Sequence, residues 1–314
     1  LRTKPDLGQE NTQKIAKQVL NNIQESHEAG VVAFANFSET GICREDAFEE
    51  EYFCRVFMEL SGFRKIDAPD IFRKYNKIIE NHEMSKNLTY HYAFSNLWNT
   101  SPELLRMISA HELHTVLHFG MLEEERDFFL NGKGPLKQFL LAQDEFDYSW
   151  EVPGVQPVKY FLQNSFNTKH NIFVHACEIN EEDVKYIQKH DTKINICVCP
   201  RSDRNFGLKK APVQMLQSNG INVCLGTEGK FMVDDLNIRK DIRLLVNEYD
   251  ISTENAIKIA TLNGAYAIGF HRELGSLSPQ KTSHCYIMEF DDNYSDPYDM
   301  VALSDNEIEI LTKK

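Results

Sequence analysis

Four groups with metal-ligand chemistry stand at or just past the ends of strand-like apolar runs in this 314-residue chain: His91, His118, His175 and Glu228. Three imidazoles and a carboxylate are the donor types of a hydrolytic Zn²⁺ or Fe²⁺ centre, where the ion lowers the pKa of a bound water and polarises the substrate. Taken singly, a strand-end histidine is more often a structural residue than a ligand. The joint pattern shifts that balance, because a (β/α)8 barrel builds its site from the C-terminal ends of its strands. Two polar clusters occupy the same kind of position, Cys199-Pro-Arg-Ser-Asp203 and Leu225-Gly-Thr-Glu-Gly229. Arg201 and Ser202 are read as anchors for an anionic or polar substrate group. The alternative for Arg201 is a pairing with an acid across the barrel mouth. Glu123-Glu-Glu125 reads as a solvated first helical turn, favoured by the helix dipole.

Placing such groups on one face requires alternating strands and helices. The hydrophobic periodicity predicts them from near residue 10 to about 270, the pattern of a parallel α/β sheet. Strands are predicted over 31–37, 52–59, 88–94, 115–119, 172–176, 194–199 and 223–227. Amphipathic helical runs fall over 10–26, 102–110, 181–189, 212–219 and 252–268. That is seven strands where a closed barrel needs eight, and the missing one is expected ahead of Leu1. After Gly269 the pattern changes to short strands with turn residues, 285–290 and 307–311, which reads as a small all-β appendage. Two units follow from this, a barrel over 1–270 and an appendage over 271–314.

Forty-seven acids against 34 bases leave a formal net charge of −13. That balance argues against a nucleic-acid or anionic-membrane surface, both of which call for clustered bases. No apolar run approaches the roughly 18 residues of a membrane-spanning helix. Residues 1–12 are polar, with neither a signal peptide nor an initiator Met, so further residues are expected in front of them. The seven cysteines are read as reduced thiols of a cytoplasmic protein. Cys197 and Cys199 alternate along one strand, with Cys177 and Cys224 on its neighbours. A soft-metal cluster is one reading of that set, and small core residues are the commoner one.

Several motifs together resemble the amidohydrolase superfamily: Cys199-Pro-Arg-Ser-Asp203, Ala211-Pro-Val213, Gly220, Leu225-Gly-Thr-Glu228, Ala260-Thr-Leu-Asn-Gly-Ala265 and Gly275-Ser-Leu-Ser-Pro279. The branch is that of the cytosine, guanine, adenosylhomocysteine and aminofutalosine deaminases, with the chlorohydrolases. The likeness covers residues 85–290 and is specific in its second half, whereas residues 1–80 match in layout alone. It implies a distorted TIM-like barrel lacking strand 1, flanked by part of a small β-sandwich at the C-terminus, a Zn or Fe ion, and often a homodimer. In that branch the metal is held by His-x-His on the first strand, a His on the fifth and an Asp on the eighth. A Glu three residues after the fifth-strand His shuttles protons, and further His residues on the fourth and sixth strands meet the substrate.

By this resemblance His118 is the fifth-strand ligand, His175 the sixth-strand His, and His91, followed by Tyr-Ala-Phe-Ser, the fourth-strand substrate His. Glu228 stands where the family has Asp, one methylene longer. The chain contains no His-x-His. With His118 as ligand the shuttle position is Met121. The other register makes Glu123 the shuttle but puts Gly120 at the ligand position. Asp203 stands where the family usually has Asn. The expected activity is metal-dependent hydrolysis or deamination of a heteroaromatic amine, such as a purine nucleoside derivative. Glu228 and His175 would be catalytic, with His91, His175, Arg201 and Ser202 on the substrate and His118 and Glu228 on the metal. The alternative expectation is a catalytically impaired relative with a ligand-binding or assembly role.

Overall fold

The computed structural model describes residues 9–42, 52–111, 114–165, 168–282 and 284–311. Cys43 therefore lies outside the described residues, and the other six cysteines are free thiols. Seven strands pair in chain order: β1 (Ala33–Ser38), β2 (Phe53–Leu60), β3 (Leu88–Asn96), β4 (His114–Phe119), β5 (His170–His175), β6 (Lys193–Val198) and β7 (Asn222–Leu225). Every neighbouring pair is parallel, and from β2 onward helices fill the crossovers. This is a (β/α)8 barrel from which, among the described residues, the first strand of the fold is missing. The two edges of the sheet are β1 and β7.

Strand alternation divides the apolar residues between two faces. Met58, Leu60, Tyr92, Phe94, Leu117, Phe119, Ile196 and Val198 join one large core with the surrounding helices. The helix Pro102–His111 is typical of these, burying Leu104, Leu105 and Ile108. The opposite face carries a separate, smaller cluster, including Phe57, Ala93, Val116, Ile172, Val174, Cys199 and Cys224. These are the inward-pointing residues of a curled sheet. The curl is visible in one contact: Phe37 on β1 stacks on His118 of β4 with ring centroids 4.6 Å apart. In a flat sheet three strand spacings would separate them by about 14 Å.

The C-terminal strands β8 (Cys285–Met288) and β9 (Ile308–Leu311) pair antiparallel in a sheet of their own. They are not joined by turns alone, as an all-β reading expects. A helix, Pro297–Leu303, lies between them and packs on the helices Ile238–Tyr249 and Thr253–Lys258. Its start is written locally: the Asp296 side chain accepts from the Tyr298 N–H, and Pro297 opens the first turn. No helix among the described residues is long and apolar enough to cross a membrane.

Candidate metal centre

Three donor atoms from three strand ends converge inside the barrel mouth. His118 Nδ1 lies 3.3 Å from His175 Nε2 and 3.7 Å from Glu228 Oε1, and His175 Nε2 lies 3.5 Å from the same oxygen. Zinc bound tetrahedrally at about 2.0–2.2 Å sets its ligand atoms roughly 3.3 Å apart. The triangle therefore matches three corners of such a site, and no other group of this kind occurs among the described residues. Two imidazoles and a carboxylate suit a divalent ion such as zinc.

The backbone is bent to achieve this. Val174 already faces the barrel interior, so regular alternation would turn His175 outward. Instead His175 and Ala176 adopt φ of +73° and +55°, which breaks the alternation and turns the imidazole inward. Glu228, three residues past the end of β7, has φ of +60°. Non-glycine residues in this left-handed region cost about 1–3 kcal/mol each and persist where the surrounding structure over-determines them.

The surroundings set the protonation states. Burial pushes the His118 imidazole down to about 3, with the nearby His175 charge adding to the effect. Its ring is therefore neutral, with a lone pair to offer. Burial works against charge on His175 too, but the hydrogen bond and charge of Asp203 outweigh it and raise the imidazole. The His175 Nδ1 sits 2.6 Å from Asp203 Oδ1. When that nitrogen carries the proton, Nε2 is left free to face a cation, the usual carboxylate–histidine–metal relation. Burial pushes the Glu228 carboxyl up to about 7, against the lowering pull of His175.

Other contacts hold the strand ends in place. Glu125, from the acidic run 123–125, is not solvated but 2% exposed. Its carboxylate accepts the N–H groups of Gly120, Met121 and Leu122, the turn directly after β4. Asn263, from the Ala260–Ala265 motif, donates to the Val223 carbonyl and accepts from Asn222, fixing β7 ahead of Glu228. Gly275, with φ of +87°, packs on this motif where a Cβ would meet Ala265 Cβ at 2.8 Å and Leu262 Cα at 2.9 Å.

The structure brings His118, His175 and Glu228 together, and it leaves three other predicted site residues apart. His91 is not at a strand end. Its ring lies 6.0 Å from that of His114, and His114 precedes His118 by four residues on β4, roughly 13 Å along the strand. His91 Nε2 pairs with Thr89 Oγ1 at 2.8 Å. The level of His118 on β3 belongs to Asn96, displaced by an irregularity between Phe94 and Asn96. Arg201 takes the second of its two readings. Its Nε donates to Asp241 at 2.8 Å, one terminal nitrogen to Asp235 at 2.8 Å and the other to the Asn237 carbonyl. A guanidinium so occupied does not face the donor triangle. Ser202 is fully buried, and its hydroxyl has no hydrogen-bond partner among the described residues. The two residues missed by sequence reasoning are Asp203, which orients His175, and Phe37, which covers one face of His118.

Comparison with known proteins agrees with this architecture. The model of the amidohydrolase family matches residues 11–306. The chain belongs to the amidohydrolase family. Among curated relatives, a 5-methylthioadenosine/S-adenosylhomocysteine deaminase of Thermoanaerobacter pseudethanolicus is 26% identical over 165 residues, 50% of this chain and 38% of the relative. The Teredinibacter turnerae enzyme of the same name is 24% identical over 229 residues, 63% of this chain and 50% of the relative. The chain thus spans half or less of the length of these two relatives. Among solved structures, Helicobacter pylori aminofutalosine deaminase superposes with a TM-score of 0.77 at 18% identity, covering 94% of this chain and 75% of that one. A zinc-bound adenosine deaminase from Xanthomonas campestris gives 0.70 at 14% identity, covering 96% and 69%. At these identities the structural matches speak for the fold.

Proposed function

We propose that this amidohydrolase barrel carries a zinc-dependent deaminase site for an adenosine-like nucleoside. The observation that carries the reading is the donor triangle of His118, His175 and Glu228, with ligand-to-ligand distances of 3.3 to 3.7 Å. A zinc ion held there supplies Lewis acidity toward water and the ring being attacked. The substrate class rests on the relatives, two of them named as 5-methylthioadenosine/S-adenosylhomocysteine deaminases. In the reaction, water oxygen bonds to the ring carbon bearing the amine, the C–N bond breaks, and ammonia leaves.

This chain's residues divide the work as follows. His118 is kept neutral by burial, and His175 is held with Nε2 inward by Asp203. Glu228, with a carboxyl near neutrality, holds the cation or takes a proton from the attacking water. Met121, at the shuttle position of the family pattern, offers the mechanism only its backbone N–H, already bonded to Glu125. Proton movement therefore falls to Glu228 in this reading. The alternative of an impaired relative rests on Met121 and on Glu228 standing where the family has Asp, while the donor triangle and its orienting carboxylate favour the active reading.

The test is elemental analysis of the purified full-length protein after gel filtration, followed by ammonia release from 5′-methylthioadenosine, S-adenosylhomocysteine and 5′-deoxyadenosine. About one zinc per chain with turnover of at least one nucleoside is the expected result. One iron per chain would change the metal and keep the mechanism. A well-folded, metal-free protein without turnover would overturn the proposal.

A further inference from the structure

Three thiols line the inner face of the barrel beside the metal centre, and the mechanism uses none of them. Cys197 on β6 is in direct register with Cys224 on β7. Cys199, two residues further on, faces the same interior, with its sulfur 3.9 Å from Glu228 Oε1. Cys199 is 1% exposed and Cys224 4%, whereas Cys197 is partly exposed. The Cys197 sulfur also leans toward the β7 side. A Cβ built on Gly226, just past β7, would stand 2.8 Å from Cys197 Sγ and 3.2 Å from Cys199 Sγ.

We propose that Cys197 and Cys224 form an oxidation site, which a hydroperoxide converts to a disulfide joining β6 to β7. Register partners on neighbouring strands have Cα atoms about 4.8 Å apart, inside the 4.4–6.8 Å range of disulfides. Cys199 is the poorer partner, because residues two apart on one strand point their Cβ atoms the same way and keep them about 6.6 Å apart, beyond the roughly 3.5–4.5 Å a disulfide spans. Cys197 is the attacking sulfur because it alone of the three is partly exposed, whereas Cys199 and Cys224 are buried.

The chemistry balances without a further reactant. The Cys197 sulfur attacks one peroxide oxygen, the O–O bond breaks, and the thiol proton leaves with the other oxygen as water, giving a sulfenic acid. The Cys224 sulfur then attacks Cys197 sulfur, the S–O bond breaks, and the hydroxyl departs with the Cys224 proton as a second water. Two thiols are oxidised and one hydrogen peroxide is reduced. The site does not depend on the metal reading, so either can fail without the other.

The experiment exposes reduced full-length protein to a slight excess of hydrogen peroxide, blocks remaining thiols with N-ethylmaleimide, and maps the digest by mass spectrometry. The expected product joins the Cys197 and Cys224 peptides, two hydrogens lighter than their sum, and dithiothreitol releases it. Cys199→Ser should retain the cross-link. Cys224→Ser should lose it and leave a Cys197 sulfenic acid that dimedone traps. Maleimide on both residues after peroxide would overturn the proposal, as would a wild-type cross-link between Cys197 and Cys199 or a sulfinic acid without any cross-link. The wild-type map decides the matter even where a variant fails to fold.

Discussion

His175 and Asp203, 28 residues apart in sequence, form a buried pair with Nδ1 and Oδ1 separated by 2.6 Å. The carboxylate does for the imidazole what the fold alone does not: it selects which nitrogen keeps the proton. Asp203→Asn preserves shape and removes the charge that raises His175. Losing such an orienting partner typically costs about 10–100-fold in metal affinity. Zinc titration of the variant against a chelator of known affinity measures this. An unchanged affinity would reduce Asp203 to a packing residue.

Removal of a ligand should be harsher than removal of its orienter. Glu228→Gln and His118→Ala each take away one corner of a three-donor group. Metal content of either variant should drop from about one ion per chain to near zero, with near-native circular dichroism. If both variants kept full metal, the ion would sit elsewhere and the donor triangle would be a coincidence of packing.

Metal binding should weaken on acidification, and the sign follows from Glu228. Its carboxyl is pushed up to about 7, so below that pH a cation must displace a proton. Affinity from this group alone should fall about tenfold per pH unit below 7. His118, pushed down to about 3, adds no competition across that range. The metal-free protein gives the converse. A carboxyl raised from 4.5 to about 7 contributes stability that is complete below pH 4.5 and lost as pH rises through 7. Chelator competition and thermal melts at pH 5, 6, 7 and 8 read both effects, and flat profiles would contradict the placement of Glu228.

The strands were legible because most of them, β2 and β5 above all, bury apolar residues on both faces, and the turn residues between them are local signals. The site was legible only where a side chain's role follows from its place at a strand end, as for His118 and Glu228. His91 misled because it was read as a strand-end group by its residue type, whereas it is the fourth of the nine residues of β3, which runs on past an irregularity to Asn96. Glu125 misled for a different reason. Helix-dipole reasoning places an acid in the first turn but does not say what covers it, and here three amides of the preceding turn do. The partners of Arg201 lie 34 and 40 residues downstream, a separation that periodicity does not bridge.

Arg201 provides the sharpest contrast between a substrate anchor and a structural ion pair. Asp241 is 0% exposed, and burial pushes its carboxyl up to about 6 even with Arg201 holding it down. The guanidinium also reaches Asp235 and the Asn237 carbonyl, so it ties the start of the helix Ile238–Tyr249 to the turn after β6. Truncation to alanine would strand a buried carboxylate, a change that typically costs about 3–5 kcal/mol. Arg201→Ala should therefore lower the urea midpoint markedly, and Arg201→Lys should recover only part of it, because an ammonium does not span both carboxylates as the planar fork does. Paired with Asp241→Asn in a double-mutant cycle, the arginine variant should show strong coupling. A stable Arg201→Ala protein whose only defect is a raised KM would instead return this residue to the substrate.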